Sequence, residues 1–137
     1  MNILVNSNIQ IMGGKQPVYI AGVAYDNDRE KEKREAMIDK ALSGIPDYAF
    51  VILLVHHPEF FEEAIERKIP LTLSGHTHSG QIVFMGMPLA PTGTPYTKDR
   101  YVEEQGVCYV NNGSGHWFPI RINCPREITV IIFFDGQ

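Results

Sequence analysis

Cysteine is nearly absent from this chain: Cys108 and Cys124 are the only two in 137 residues, and no Cys-x-x-Cys spacing occurs. That excludes a disulfide framework and a cysteine-rich zinc site. Two reduced, packed thiols fit a cytoplasmic protein, with a single disulfide left open. No apolar run reaches the length of a membrane span. The opening residues, MNILVNSNIQ, lack the basic start and long apolar stretch of a signal peptide. A membrane is therefore not an expected partner of this chain, although membrane-peripheral placement of a longer protein containing it is left open. Basic excess is missing too: the formal charge is −4, so broad capture of nucleic acid is not expected. Internal repeats and low-complexity segments are absent. What remains is a composition of 44% hydrophobic and 20% charged residues. It suits one soluble domain over residues 1–137, large enough for a core.

The chain alternates strand and helix signals through its first half. Residues 3–5 and 9–12 read as short strands, with Gly13 and Gly14 as a turn between them and a stronger strand over 17–23. Residues 27–40 are dense in charge, and apolar residues arrive late, at Ala36, Met37, Ile38, Ala41 and Leu42. This predicts a helix over 28–42, exposed at first and docked in its second half, ended by Gly44 and Pro46. FVILLV at 50–55 reads as a buried strand, residues 59–67 as a short helix and 71–73 as the next strand. Strand, helix and strand at this spacing make a βαβ unit, whose ligands gather beyond the carboxyl ends of its parallel strands. The second half reads as mostly β. Strands are predicted over 82–84, 101–104, 107–110, 119–123 and 127–134. A Pro- and Gly-rich loop spans 86–95, Gln105 and Gly106 form a hairpin turn, and residues 111–115 form a turn.

Three of the five histidines stand just after two of these strands. His56 follows FVILLV, and His76 and His78 follow IPLTL in the segment LSGHTHSGQI. Neutral imidazole is a common ligand for divalent metals. In an extended segment, alternate side chains share a face, so a His-x-His pair can aim both rings at one spot. Gly75 and Gly80 leave room for turns on either side. Buried imidazoles without partners would be costly, so the three together read as a metal site. A closed structural zinc site would favour cysteine. His57 and His116 read as capping or hydrogen-bonding residues, with their roles open.

These segments carry a resemblance. ILLVHHP followed some twenty residues later by LSGHTHSGQI resembles the last two motifs of the calcineurin-like metallophosphoesterases. VNNGSG and FPIRINCPREITVI resemble a bacterial phosphodiesterase branch that includes UDP-diacylglucosamine hydrolase-like proteins. The resemblance implies an α/β fold, the C-terminal half of a layered αββα sandwich with mixed sheets and a βαβ unit. It implies hydrolysis of a phosphate ester at a dimetal centre, with His56 and His76 on one ion and His78 on the other. The metal would be manganese, zinc, iron or nickel. The family's Asp-x-His, GDxxD-type and Asn-His motifs have no counterpart in this sequence. The expectation is therefore a truncated chain that lacks the N-terminal half and its bridging carboxylate, inactive alone and homo-oligomeric through exposed sheet surfaces. The alternative is a non-catalytic metal-binding or dimerising module. The substrate is not legible.

Overall fold

The computed structural model describes residues 3–12, 15–26, 30–89, 91–116 and 119–133. The order of elements is β1 (Ser7–Met12), β2 (Val18–Gly22), α1 (Lys31–Leu42), β3 (Phe50–Leu54), α2 (Phe60–Glu66), β4 (Leu71–Ser74), β5 (Val83–Phe84), β6 (Met87–Pro88), β7 (Asp99–Glu103) and β8 (Gly106–Val110). Six strands form one mixed sheet in the order β1-β2-β3-β4-β8-β7, and β5 and β6 form a separate hairpin. The inner strands β2, β3, β4 and β8 are parallel, and β1 and β7 flank them antiparallel. This is an α/β fold. The βαβ unit expected around α2 is present, and a second one runs from β2 through α1 to β3.

Both helices pack on one face of the sheet. The late apolar residues of α1 (Met37, Ile38, Ala41) and Phe60, Phe61 and Ala64 of α2 meet Ala21, Val23, Val51, Leu53, Val55, Cys108 and Val110. Arg34 on α1 reaches Glu63 on α2 through two bonds of 2.6 and 2.9 Å, and Glu63 is wholly buried. The ion pair joins the helices where their apolar stripes leave off. Burial pushes the Cys108 thiol up to about 11, and both cysteines are free and buried, so no disulfide forms.

Several expectations need correcting. Residues 3–5 are not a strand, and the turn at Gly13 and Gly14 and residue Phe134 lie outside the described residues. The helix expected from 28 is described from Lys31. Residues 119–123 contribute only an isolated bridge, Ile82 to Ile122. Residues 127–133, expected as a strand buried on both faces, join no ladder. They run extended over the face opposite the helices. Glu127 bonds Tyr109, Thr129 bonds Asn111, and Phe133 meets Phe50 ring to ring, while Ile128, Val130 and Ile132 point outward. A β pattern specifies extended backbone and alternation; the ladder needs a neighbouring strand, and the described residues supply none there. Among the described residues, no helix is long and apolar enough to cross a membrane.

Candidate functional site

The four parallel strands deliver their carboxyl ends to one place. Tyr25 follows β2, His56 and His57 follow β3, His76 and His78 follow β4, and Asn111 and Asn112 follow β8. Backbone bonds tie these ends together: the Gly75 amide donates to the His56 carbonyl at 3.2 Å, and the Asn111 amide to the Ser74 carbonyl at 2.9 Å. His56, His76, Thr77, His78, Gly80, Pro91 and Thr92 line a cavity of about 380 Å³.

His-Thr-His is not extended. His76, His78, Ser79 and Gln81 all take positive φ, and a 3₁₀ turn covers His78–Gly80. Four non-glycine residues in this region within six positions mark stored backbone strain, which persists only where the surroundings hold it. The holding contacts are visible. Thr77 donates to the Thr97 carbonyl at 2.5 Å, Ser79 to the Asn112 side chain, and Gln81 to the Ile120 carbonyl at 3.1 Å. The turn aims the two rings differently. His76 presents Nδ1 to His56 Nε2 at 3.3 Å. His78 places Nδ1 3.0 Å from the Asn112 carbonyl and 2.7 Å from an Arg121 guanidinium nitrogen.

Crowding around the His56 ring, with repulsion from His76 and His78, lowers its pKa. Desolvation also lowers that of His78, where the Asn112 carbonyl opposes the shift and the Arg121 and His116 charges reinforce it. Both rings are thus favoured in the neutral form that binds metal. The facing nitrogens of His56 and His76 also suit one ion: two bonds of about 2.0–2.1 Å at a near-tetrahedral angle put donor nitrogens roughly 3.3 Å apart. The pair fits half of a metal shell. Among the described residues, no three His, Cys, Asp or Glu side chains close into a metal-holding group.

Sequence reasoning left His57 as a capping or hydrogen-bonding residue and passed over three further contributors. His57 is buried, its ring centroid 4.1 Å from that of His76 and 5.3 Å from that of Tyr25. Tyr25 stands against both His56 and His57. Arg121 donates to the carbonyls of Asn112, Gly113, Gly115, Cys124 and Pro125, closing the loop over His78. Gly113 lets that loop approach: a Cβ there would lie 3.0 Å from His78 Cε1, and its φ of +76° already favours glycine. The asparagine pair after β8 was the available signal, since strand ends carry ligand contacts.

Sequence comparison decides the family. An uncharacterised metallophosphoesterase of Helicobacter pylori (strain ATCC 700392 / 26695) is 32% identical over 139 residues, covering 96% of this chain and 37% of its own length. The uncharacterised metallophosphoesterase YkuE of Bacillus subtilis (strain 168) is 38% identical over 109 residues, covering 69% of this chain and 38% of its own. The chain belongs to the calcineurin-like metallophosphoesterases. Within that family it is also similar to the phosphodiesterase YaeI of Escherichia coli (strain K12), 31% identical over 58% of this chain and 31% of the relative. The chain thus spans less than two fifths of the length of each of these three metallophosphoesterase relatives. No family model and no solved structure matches it.

Proposed function

We propose that the histidine cavity is part of a divalent-metal centre that hydrolyses a phosphate ester, most simply a phosphodiester. The observation that carries this reading is the His56–His76 contact, two imidazole nitrogens 3.3 Å apart beyond adjacent parallel strands. His56 and His76 would hold one ion through those nitrogens, and His78 would face a second across the same cavity. When bound, such ions activate a water and neutralise charge on the phosphoryl oxygens. The protein's own part is positional. The strained turn sets the His76 ring against His56 at the end of β3, Arg121 and Asn112 hold the ring of His78, and Thr77 ties the turn to the Thr97 carbonyl. The ion is manganese, zinc, iron or nickel.

Calorimetric titration with Mn²⁺ or Zn²⁺ tests the reading. Uptake of up to one ion is expected, lost in His76→Ala and retained in His57→Ala; equal loss in both would overturn the ligand assignment. Turnover of an activated phosphodiester by the chain alone is expected at background, because each missing transition-state contact costs about 10²–10³-fold.

A second reading, a metal-binding or dimerising module without catalysis, is favoured by the missing third ligand among the described residues. A chimera separates the two. With this chain in place of the matching segment of the Bacillus subtilis relative, turnover that vanishes in His76→Ala supports the enzyme. A folded, metal-loaded chimera without turnover supports the module.

A further inference from the structure

Between Lys68 and Lys98 the chain carries no aspartate, glutamate, lysine or arginine: twenty-nine consecutive residues, in a protein where one residue in five is charged. Much of this stretch is surface. The β5–β6 hairpin exposes Phe84 (61%), Met85 (82%), Met87 (67%) and Leu89 (66%); its base is tied to the chain by the Val83 amide on the Ile122 carbonyl and by Asn123 on the Val83 carbonyl, while β6 ladders with β5 alone among the described residues. Its two-residue loop puts Met85 and Gly86 at φ of 49° and 82°. A hairpin loop with positive φ at both positions is normally Asn-Gly or Asp-Gly. Gly86 meets that demand and Met85 does not. A methionine here adds backbone strain and puts its apolar side chain in water, where an asparagine would do neither. A local rule broken without a gain inside the molecule points to a gain outside it.

The hairpin also adjoins the cavity. Its base closes through the Leu89 amide on the Ile82 carbonyl at 2.9 Å, and just beyond Leu89 the residues Pro91 and Thr92 line the histidine site. We propose that the tip of this hairpin enters the headgroup boundary of a lipid bilayer and holds the cavity at the membrane surface.

A bilayer suits the geometry better than a protein does. The four side chains offer on the order of 500 Å² on a projecting tip, short of the ~800 Å² each partner gives to a standard protein interface. Stripping water from charged groups is the main cost of entering a bilayer, and residues 69–97 have none to strip.

Flotation of the purified chain with neutral phosphatidylcholine vesicles tests the docking, with no turnover required. Binding is expected, equal at low and high salt. Met85→Ser with Met87→Ser should weaken it by about tenfold or more, from the apolar area lost. Ile128→Ser with Val130→Ser, which removes equally exposed apolar groups elsewhere, should change it less than about twofold, since that segment stays out of the bilayer. Met85→Asn should weaken binding while raising the melting temperature. Failure of the wild type to float, equal loss in the two double variants, loss of binding in high salt, or a lower melting temperature in Met85→Asn would each overturn the proposal. So would a change in oligomeric state confined to the hairpin variants, because the tip would then serve a second copy. None of these outcomes touches metal uptake at His76, so the phosphoesterase reading stands or falls separately.

Discussion

The two faces of the six-stranded sheet are built from similar side chains and meet different fates. On the helix face, Leu53, Val51 and Ala21 are sealed by Ile38 and Phe61, both without exposed surface. One residue along β3, Leu54 points the other way and is 38% exposed; Ile9 (37%) and Val102 (61%) face the same side from the edge strands β1 and β7, although Ile52, two residues back on β3, is covered. Strand alternation sets the division: parity decides which side chains the helices can cover. Hydrophobic pattern alone tells that both faces want burial. It does not tell which has a cover.

The sharpest way to break this comparison is to truncate two residues on the helix side and one on the other face. Phe61→Ala should cost about 3–5 kcal/mol, from lost transfer energy and the cavity left behind. Glu63→Ala should cost a similar amount, about 3–5 kcal/mol, because it removes the carboxylate that accepts two bonds from the largely buried Arg34 guanidinium. Leu54→Ala should cost less than about 1 kcal/mol, since much of that side chain stays in water. Urea midpoints at constant m-value measure all three. A Leu54→Ala loss as large as that of Phe61→Ala would mean that the open face is covered in solution.

What covers it is the next question. The accessible surface of 8786 Å² exceeds, by roughly 1,600 Å², the ~7,200 Å² expected of a 15.5 kDa monomer. We propose that the isolated chain self-associates over this face and its extended layer 127–133. Light scattering over a wide concentration range should show a dimer or larger species. Leu54→Asp should return it to monomer while leaving the helix face intact. A chain that stays monomeric at high concentration would refute the idea.

How much of this was legible in the sequence depended on range. FVILLV and the strand ahead of the histidines were readable because buried parallel strands concentrate apolar residues. Their common carboxyl-end geometry followed from the βαβ rule, which is why His56, His76 and His78 could be named and do line one cavity. The turn that carries His76 and His78 was not readable, because positive φ at histidine, serine and glutamine breaks local preference and is enforced by distant partners. Arg121 reaches His78 across forty-three positions, and no periodicity announces such a contact. Residues 127–133 misled for the opposite reason: their local pattern is strand-like, and the described residues contain no strand beside them to complete it.

A modest expected effect tests how that layer is fastened to the site. Glu127 accepts bonds from the Tyr109 hydroxyl, from Thr129 Oγ1 at 2.5 Å and from the Asn112 amide at 3.0 Å. It thereby joins the layer to the loop that also touches His78. Burial works to raise its carboxyl pKa, but the bonds from Thr129, Tyr109 and Asn112 outweigh it and hold the pKa below the ordinary 4.5. A depressed folded pKa means that the unfolded chain binds more protons as the medium acidifies. The stabilisation from Glu127 is therefore fully present above the unfolded pKa and is lost as pH falls through the folded one. Glu127→Gln should cost about 1 kcal/mol near neutrality, the scale of a partly exposed charged hydrogen bond exchanged for a neutral one. Urea midpoints of wild type and variant should then converge as pH drops from about 5 toward 3. A gap that stays constant across that range would show that the charge of Glu127 does not fasten the loop, and that shape alone holds the layer beside His78.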